Sequence, residues 1–96
     1  MELKLTPRFL QNGQRFFGPG VAELLERVRE HRSLRAAAAS MEMAYSKAWR
    51  IVNEAEGQLG CKLIERDGAR GSSLTPAGER AIAAYEELQA EINEVI

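Results

Sequence analysis

The sequence predicts a mainly helical domain with small β elements: a winged helix-turn-helix with an N-terminal β-hairpin and a long C-terminal dimerisation helix. Three observations carry that expectation. Two helical stretches are separated only by Glu42-Met43-Ala44, the spacing of a helix-turn-helix. A strand, a basic loop and a short returning strand follow at once, over residues 62–75. Residues 76–96, opened by Thr75-Pro76, then carry apolar side chains at alternating steps of four and three. At 96 residues the chain is expected to form one domain, 1–96.

Residues 1–17 read as the hairpin. Leu3, Leu5 and Phe9 alternate with polar residues, and Asn12-Gly13 is a strong tight-turn signal. With that pair in the turn, Phe9 is expected to face Phe16 across the ladder, anchored on the core. Pro7 cannot donate to a ladder, which puts its strand at an edge. Gly18-Pro19-Gly20 opens a helix over 19–31, with Pro19 at the tolerated first position and Val21, Leu24, Leu25 and Val28 in one apolar stripe. His31, at the end of that helix, is expected to cap its exposed carbonyls.

Residues 33–60 hold the helix-turn-helix. Ser33 is the expected N-cap of a short helix, Leu34 to Met41, whose four consecutive alanines favour helix. Their small side chains also let another helix cross closely. Met43, the lone apolar residue of the turn, should point inward. In the third helix, from Tyr45 to Gly60, the positions Ala48, Val52, Ala55 and Leu59 share one face, with Tyr45 and Trp49 at its margin. Ser46, Lys47, Arg50, Asn53 and Glu54 project from the opposite face. Hydrogen-bonding and basic residues thus gather in the first two turns, where a recognition helix meets base edges and phosphates. An ordinary amphipathic helix with a solvated polar face has the same pattern. Trp49 reads as a packing residue rather than a base-stacking platform.

Gly60 is the expected stop of the third helix. Lys62 to Arg66 is strand-like, Asp67 to Ser73 is a turn-rich loop with Arg70 near its tip, and Leu74 returns before Thr75-Pro76 starts the last helix. As a wing, this segment makes Lys62, Arg66 and Arg70 contacts to phosphates or a minor groove. The last helix aligns Ala81, Tyr85, Leu88, Ile92 and Val95 as a narrow seam suited to dimerisation. Glu79, Glu86, Glu87, Glu91 and Glu94 lie off the seam, so this helix should face away from nucleic acid.

Composition narrows the function classes. The chain is 45% apolar, 28% charged and 6% aromatic, a globular balance rather than a disordered one. No apolar stretch approaches the ~20 residues that span a bilayer. Lys4, Thr6 and Arg8 interrupt any signal-peptide core, so a cytoplasmic location and no membrane partner are expected. Cys61 is the single cysteine and His31 the single histidine, leaving no internal disulfide and no zinc cluster. Paired carboxylates at catalytic spacing are not evident, and neither an enzyme nor a cofactor is expected. The net charge of −1 argues against a nucleic-acid module, yet residues 32–70 carry seven basic against five acidic side chains. Ten of the 13 cations are arginine, which suits bidentate recognition of phosphate and guanine.

Together these residues resemble the N-terminal winged-helix domain of molybdate-responsive regulators of the ModE type, with a more distant similarity to LysR-type regulators. The resemblance covers nearly the whole chain. It runs through Phe16-Phe17-Gly18-Pro19-Gly20-Val21-Ala22-Glu23-Leu24-Leu25 and Ser33-Leu34-Arg35-Ala36-Ala37-Ala38. Its most specific part is Met43-Ala44-Tyr45-Ser46-Lys47-Ala48-Trp49 with Val52-Asn53-Glu54, and it ends on Leu74-Thr75-Pro76-Ala77-Gly78. Three departures bear on what it implies. ModE-type regulators carry C-terminal oxyanion-binding domains that these 96 residues do not reach, so a ModE-like regulator lacking the molybdate-binding domain is expected. Ala44 stands where that family places a serine, removing a hydroxyl N-cap worth ~1 kcal/mol. The wing also has fewer glycines than the family's.

The expected function is therefore sequence-specific binding of double-stranded DNA by a homodimeric transcriptional regulator. Ser46, Lys47 and Arg50 are expected in the major groove, Tyr45 and Asn53 beside them, and Arg35, Lys62, Arg66 and Arg70 on phosphates or the minor groove. A separate effector-binding protein is a further expected partner. The alternative is a winged-helix module that binds protein and no DNA, which the acidic pI of about 5.9 supports.

Overall fold

Gln11 and Gln14 pair across Asn12-Gly13, and both turn residues have positive φ, 53° and 79°, as a two-residue hairpin turn of the mirror-image type requires. The strands are β1 (Phe9–Gln11) and β2 (Gln14–Phe17), shorter than the 1–17 hairpin expected. A computed structural model describes residues 5–66, 68 and 71–95; Leu3 and Arg70, and the side chain of Val95, lie outside the described residues. Phe9 pairs with Phe17 and not with Phe16, because a bulge between Phe9 and Leu10 shifts the register by one residue. The shift sends Phe17 into the core at 3% exposure, while Phe9 stays 39% exposed. Both β2 rings remain near Phe9, with centroids 6.1 Å (Phe17) and 6.4 Å (Phe16) away.

Helix α1 (Pro19–His31) starts after Gly18 with Pro19 in its first turn and buries Leu24, Leu25 and Val28 completely. Val21 is half-buried. Its end is closed by the backbone of Arg32, in the left-handed region at φ 55°, whose N–H donates to the Val28 carbonyl. This corrects the expected His31 cap: one left-handed residue satisfies the carbonyl and leaves the imidazole exposed.

Helix α2 (Leu34–Ser40) begins at Ser33, whose Oγ accepts from the Ala36 N–H at 3.0 Å. Ala37 and Ala38 are buried and α2 packs on α1, so the alanines do serve a close crossing. Met41 is the C-cap rather than the last helical residue, Glu42 takes φ 54°, and Met43, half-buried on the core, donates its N–H to the Ala38 carbonyl.

Helix α3 (Tyr45–Leu59) buries Ala48, Val52 and Ala55, and Gly60 at φ 73° ends it. Leu59 does not join that face as expected; it is 43% exposed. Glu56, one turn earlier, is the last inward side chain of the helix, and it belongs to the joint with the wing.

The wing is β3 (Ile64–Arg66) antiparallel to β4 (Ser72–Leu74), with Ile64 opposite Leu74 and Arg66 opposite Ser72. Glu56 Oε2 accepts from the N–H groups of Leu63 at 2.8 Å and Ile64 at 3.3 Å, which fixes the entry to β3. Gly71, at φ 96°, lies so close to the Arg32 carbonyl oxygen that a Cβ there would collide with it, and Ser72 N–H donates to the same carbonyl.

Helix α4 (Pro76–Val95) is capped by Thr75, whose Oγ1 accepts from Gly78 N–H and donates to the Lys62 carbonyl at 2.6 Å. Ile82 and Tyr85 are each 2% exposed. The Tyr85 ring packs on Phe17 and Phe9, centroids 5.6 and 6.3 Å away, and its hydroxyl donates to the Pro7 carbonyl at 2.7 Å. Tyr85 thus belongs to the core of this chain rather than to a partner-facing seam, because the N-terminal hairpin covers it. Ala81, Leu88 and Ile92 are half-buried. Where α4 faces α1, a side-chain hydrogen bond with Glu86, burial and repulsion from the same Glu86 push the Glu26 carboxyl up to about 7.

Candidate nucleic-acid interface

A straight helix turns about 100° per residue, so the residues of α3 fall into arcs. Ala48, Val52, Ala55 and Glu56 face inward. Ser46, Arg50 and Asn53 occupy the opposite arc and are all exposed. Tyr45 and Trp49 form one border of that arc, and Lys47 and Glu54 form the other. Of the residues expected in the groove, Ser46 and Arg50 thus share one exposed arc with Asn53 over the first two and a half turns, while Lys47 lies at its edge.

The Tyr45–Trp49 border is built up by three elements. Arg35 of α2 places its guanidinium carbon 4.2 Å from the Tyr45 ring centroid. Arg66 of β3 lies over Trp49, 4.5 Å from its centroid, and its Nη2 donates to Tyr45 Oη at 3.0 Å. The two rings meet edge-on with centroids 6.3 Å apart. Cation–π contact holds both planar cations without neutralising them. Arg35, Tyr45 and Arg66, which the sequence placed in three separate segments, form one cationic edge beside Ser46 and Asn53.

Lys62 is not part of that edge. Its ammonium lies 3.6 Å from Glu56 Oε1, at the joint between α3 and the wing, with the side chain 78% exposed. Two contributors escaped sequence reasoning. Glu56 sits next to Ala55 on the apolar arc, and a carboxylate at the border of a buried stripe was the available signal. Trp49 packs against the core and Tyr45, but it also carries the Arg66 cation on its face, which spacing along one chain segment cannot reveal. No group of three or more metal-ligating side chains occurs among the described residues, and no described helix is long and apolar enough to cross a membrane.

Two antiparallel strands after a helix-turn-helix, with the third helix exposing its polar arc, define a winged helix-turn-helix domain. Residues 21–79 match the family described as bacterial regulatory helix-turn-helix protein, lysR family. The chain belongs to that family. It is also 34% identical over 92 residues to the molybdenum transport protein ModE of Herbaspirillum seropedicae, covering 92% of this chain and 31% of that protein. This chain thus spans under a third of the length of that relative. Among solved structures, it is similar to the DNA-binding domain of CbnR in a DNA complex, with TM-score 0.65 and 24% identity over 79% of this chain and 86% of that one. It is likewise similar to the DNA-binding domain of BenM bound to benA site 1 DNA, with TM-score 0.63 and 25% identity over 79% of this chain and 87% of that one. The match to the ModE protein agrees with the resemblance carried by the Tyr45–Trp49 segment.

Proposed function

We propose that this chain is a sequence-specific, double-stranded-DNA-binding transcriptional regulator of ModE-like type, acting in the cytoplasm as a homodimer. The observation that carries the reading is the exposed Ser46–Arg50–Asn53 arc of α3, bordered by the Arg35–Tyr45–Trp49–Arg66 stack. In this reading Ser46 and Arg50 hydrogen-bond base edges in the major groove, with Lys47 and Asn53 beside them. Arg35, Tyr45 and Arg66 bind phosphates of one strand, and Lys62 and Arg70 add contacts from the wing. Two copies joined through α4 present two such helices to a two-fold-related site. A separate effector-binding protein is a further partner in this reading.

The test is selection of bound fragments from genomic DNA, followed by affinity measurements on the recovered site. Arg50→Ala should weaken specific binding by about 1–3 kcal/mol and leave thermal unfolding unchanged. Unaltered affinity in a folded Arg50 variant would remove α3 from the groove. The acidic pI of about 5.9 favours a second reading, a winged-helix module that binds protein. Salt separates the two, because phosphate binding weakens steeply as salt rises and an apolar interface does not.

A further inference from the structure

The border of the α3 polar arc away from the wing has a structure of its own. There, β2 packs on α3 and, with the start of α1, encloses an open cleft of about 440 Å³. Arg8, Arg15 and Lys47 line it, with Glu54 as the one carboxylate among its described lining residues, over a floor that includes Phe16 and Ile51. Arg15 and Lys47 are exposed. Arg8 donates to the Thr6 carbonyl at 3.4 Å, a weak contact, and its aliphatic stem lies against Gly18. The hairpin that carries Arg8 and Arg15 is anchored at its base by the Tyr85–Pro7 hydrogen bond and the Phe9–Phe17–Tyr85 rings. These cations are therefore presented on a fixed element.

We infer that the N-terminal hairpin is a second DNA-binding flank, in which Arg8 and Arg15, together with Lys47, take the phosphate backbone on the side of α3 opposite the wing. The inference rests on the DNA-binding function proposed above. An α-helix with its side chains is ~10–12 Å across and the major groove ~12 Å wide, so a helix in the groove fills it. Elements that flank both sides of the helix then face the two backbones that wall the groove. The Arg35–Arg66 stack occupies one flank. The cleft occupies the other, and Lys47 joins it to the reading surface. Its charge complements a polyphosphate. The segment carrying Arg8 and Arg15 precedes the residues matched to the lysR-type family, which begin at 21. The hairpin flank is thus an addition to that family's part of the chain.

The experiment compares the parent with the Arg8→Ala/Arg15→Ala double variant on a DNA fragment the parent selects. Binding constants are measured across a salt series, and folding is checked by thermal unfolding. The double variant should bind roughly tenfold or more weakly at ~0.1 M salt, with log K against log salt shallower by about 1.8 for two lost phosphate contacts. Arg8→Lys/Arg15→Lys should restore the slope. Phosphate-ethylation interference with the unaltered parent gives a second measurement: modified phosphates on both walls of the groove should block binding. Equal salt slopes for parent and double variant, or interference confined to the wing side, would overturn the hairpin flank and leave the α3 reading standing. A change in sedimentation without a change in slope would show the cleft to be a protein contact and overturn it too. A parent that binds no DNA in a salt-dependent way would remove both readings together.

Discussion

Arg66 of the wing lies over the indole of Trp49, its guanidinium carbon 4.5 Å from the ring centroid, while its Nη2 is tied to the Tyr45 hydroxyl at 3.0 Å. One arginine thereby joins β3 to two successive turns of α3. The indole Nε1 is buried without a hydrogen-bond partner, a cost of about 1–3 kcal/mol if left uncompensated. The aromatic ring most favourable for cation–π contact is kept at this position, where its face is used and its polar edge is not. The stack sets how the wing sits beside α3.

Arg66→Lys separates charge from geometry. Lysine keeps the positive charge but loses the planar stack and the fixed fork. We expect a stability loss of about 0.5–1 kcal/mol, as for an exposed cation–π contact, and DNA affinity reduced several-fold with little change in salt slope. Urea unfolding and a salt series on the same DNA check the two effects. A lysine variant that matches the parent in both would show that only the charge matters here.

Glu56 carries a larger structural burden. It is 8% exposed, and a single carboxylate oxygen serves two consecutive backbone donors, those of Leu63 and Ile64. Glu56→Ala orphans both donors at the root of the wing and should cost about 2–3 kcal/mol in chemical unfolding. Glu56→Gln keeps a carbonyl acceptor and should cost about half as much. Amide exchange at Leu63 and Ile64 should accelerate most in the alanine variant. Uniform acceleration across all helices, with no preference for these two amides, would contradict the local role.

How much of this was legible beforehand depended on range. The spans of α1 and α3, the Ser33 and Thr75 caps, the Asn12-Gly13 turn and the wing register with local chemistry, where two to four neighbouring residues decide the outcome. Ser46, Arg50 and Asn53 followed from helical period alone. What failed needed distant partners. A bulge gives Phe17 rather than Phe16 to the core, where it meets Tyr85, 68 positions further along the chain. The same contact withdrew Tyr85 from the C-terminal seam. The convergence of Arg35 and Arg66 on two rings of α3 joins three elements, and no pattern within one of them encodes it.

The contact between Glu26 and Glu86 makes stability depend on pH. The folded-state carboxyl of Glu26 is raised from 4.5 to about 7, first by the hydrogen bond with Glu86, then by burial and by the Glu86 charge. Arg29 opposes this and Glu23 adds to it. A raised carboxyl means the folded state holds the proton more tightly than the unfolded state. Stability is therefore highest below about 4.5 as far as this group is concerned, and falls as pH rises towards 7. Glu26→Gln removes the titrating group while keeping a donor for Glu86. The difference in melting temperature between pH 5 and pH 7.5 should shrink in that variant. An identical pH profile for parent and variant would rule the pair out as its source.

The proposed dimer would form through the part of α4 that the hairpin does not cover. Ile82 and Tyr85 are enclosed by their own chain, whereas Leu88 and Ile92, farther along, are only half-buried. The Leu5 N–H reaches Asn93 Oδ1 at 3.0 Å, so the N-terminal segment tracks α4 to its last turns and leaves one side of the helix bare. Covering what remains of Leu88 and Ile92 in a two-fold dimer would contribute about 1 kcal/mol per side chain, roughly half the value for full burial, and symmetry doubles each contribution. The exposed glutamates Glu87, Glu91 and Glu94 beside them act against this through like-charge repulsion, and added salt should therefore tighten the dimer while it weakens DNA binding. Two recognition helices about one DNA turn apart, ~34 Å, would then share a two-fold site that a single half-site replaces poorly. Leu88→Asp adds a fourth like charge to those of the three glutamates and should give a folded monomer with a large loss of affinity for the full site. Its affinity for an isolated half-site should stay close to that of the parent. Sedimentation that finds the parent itself monomeric at tens of micromolar, with no DNA present, would reject dimerisation through α4.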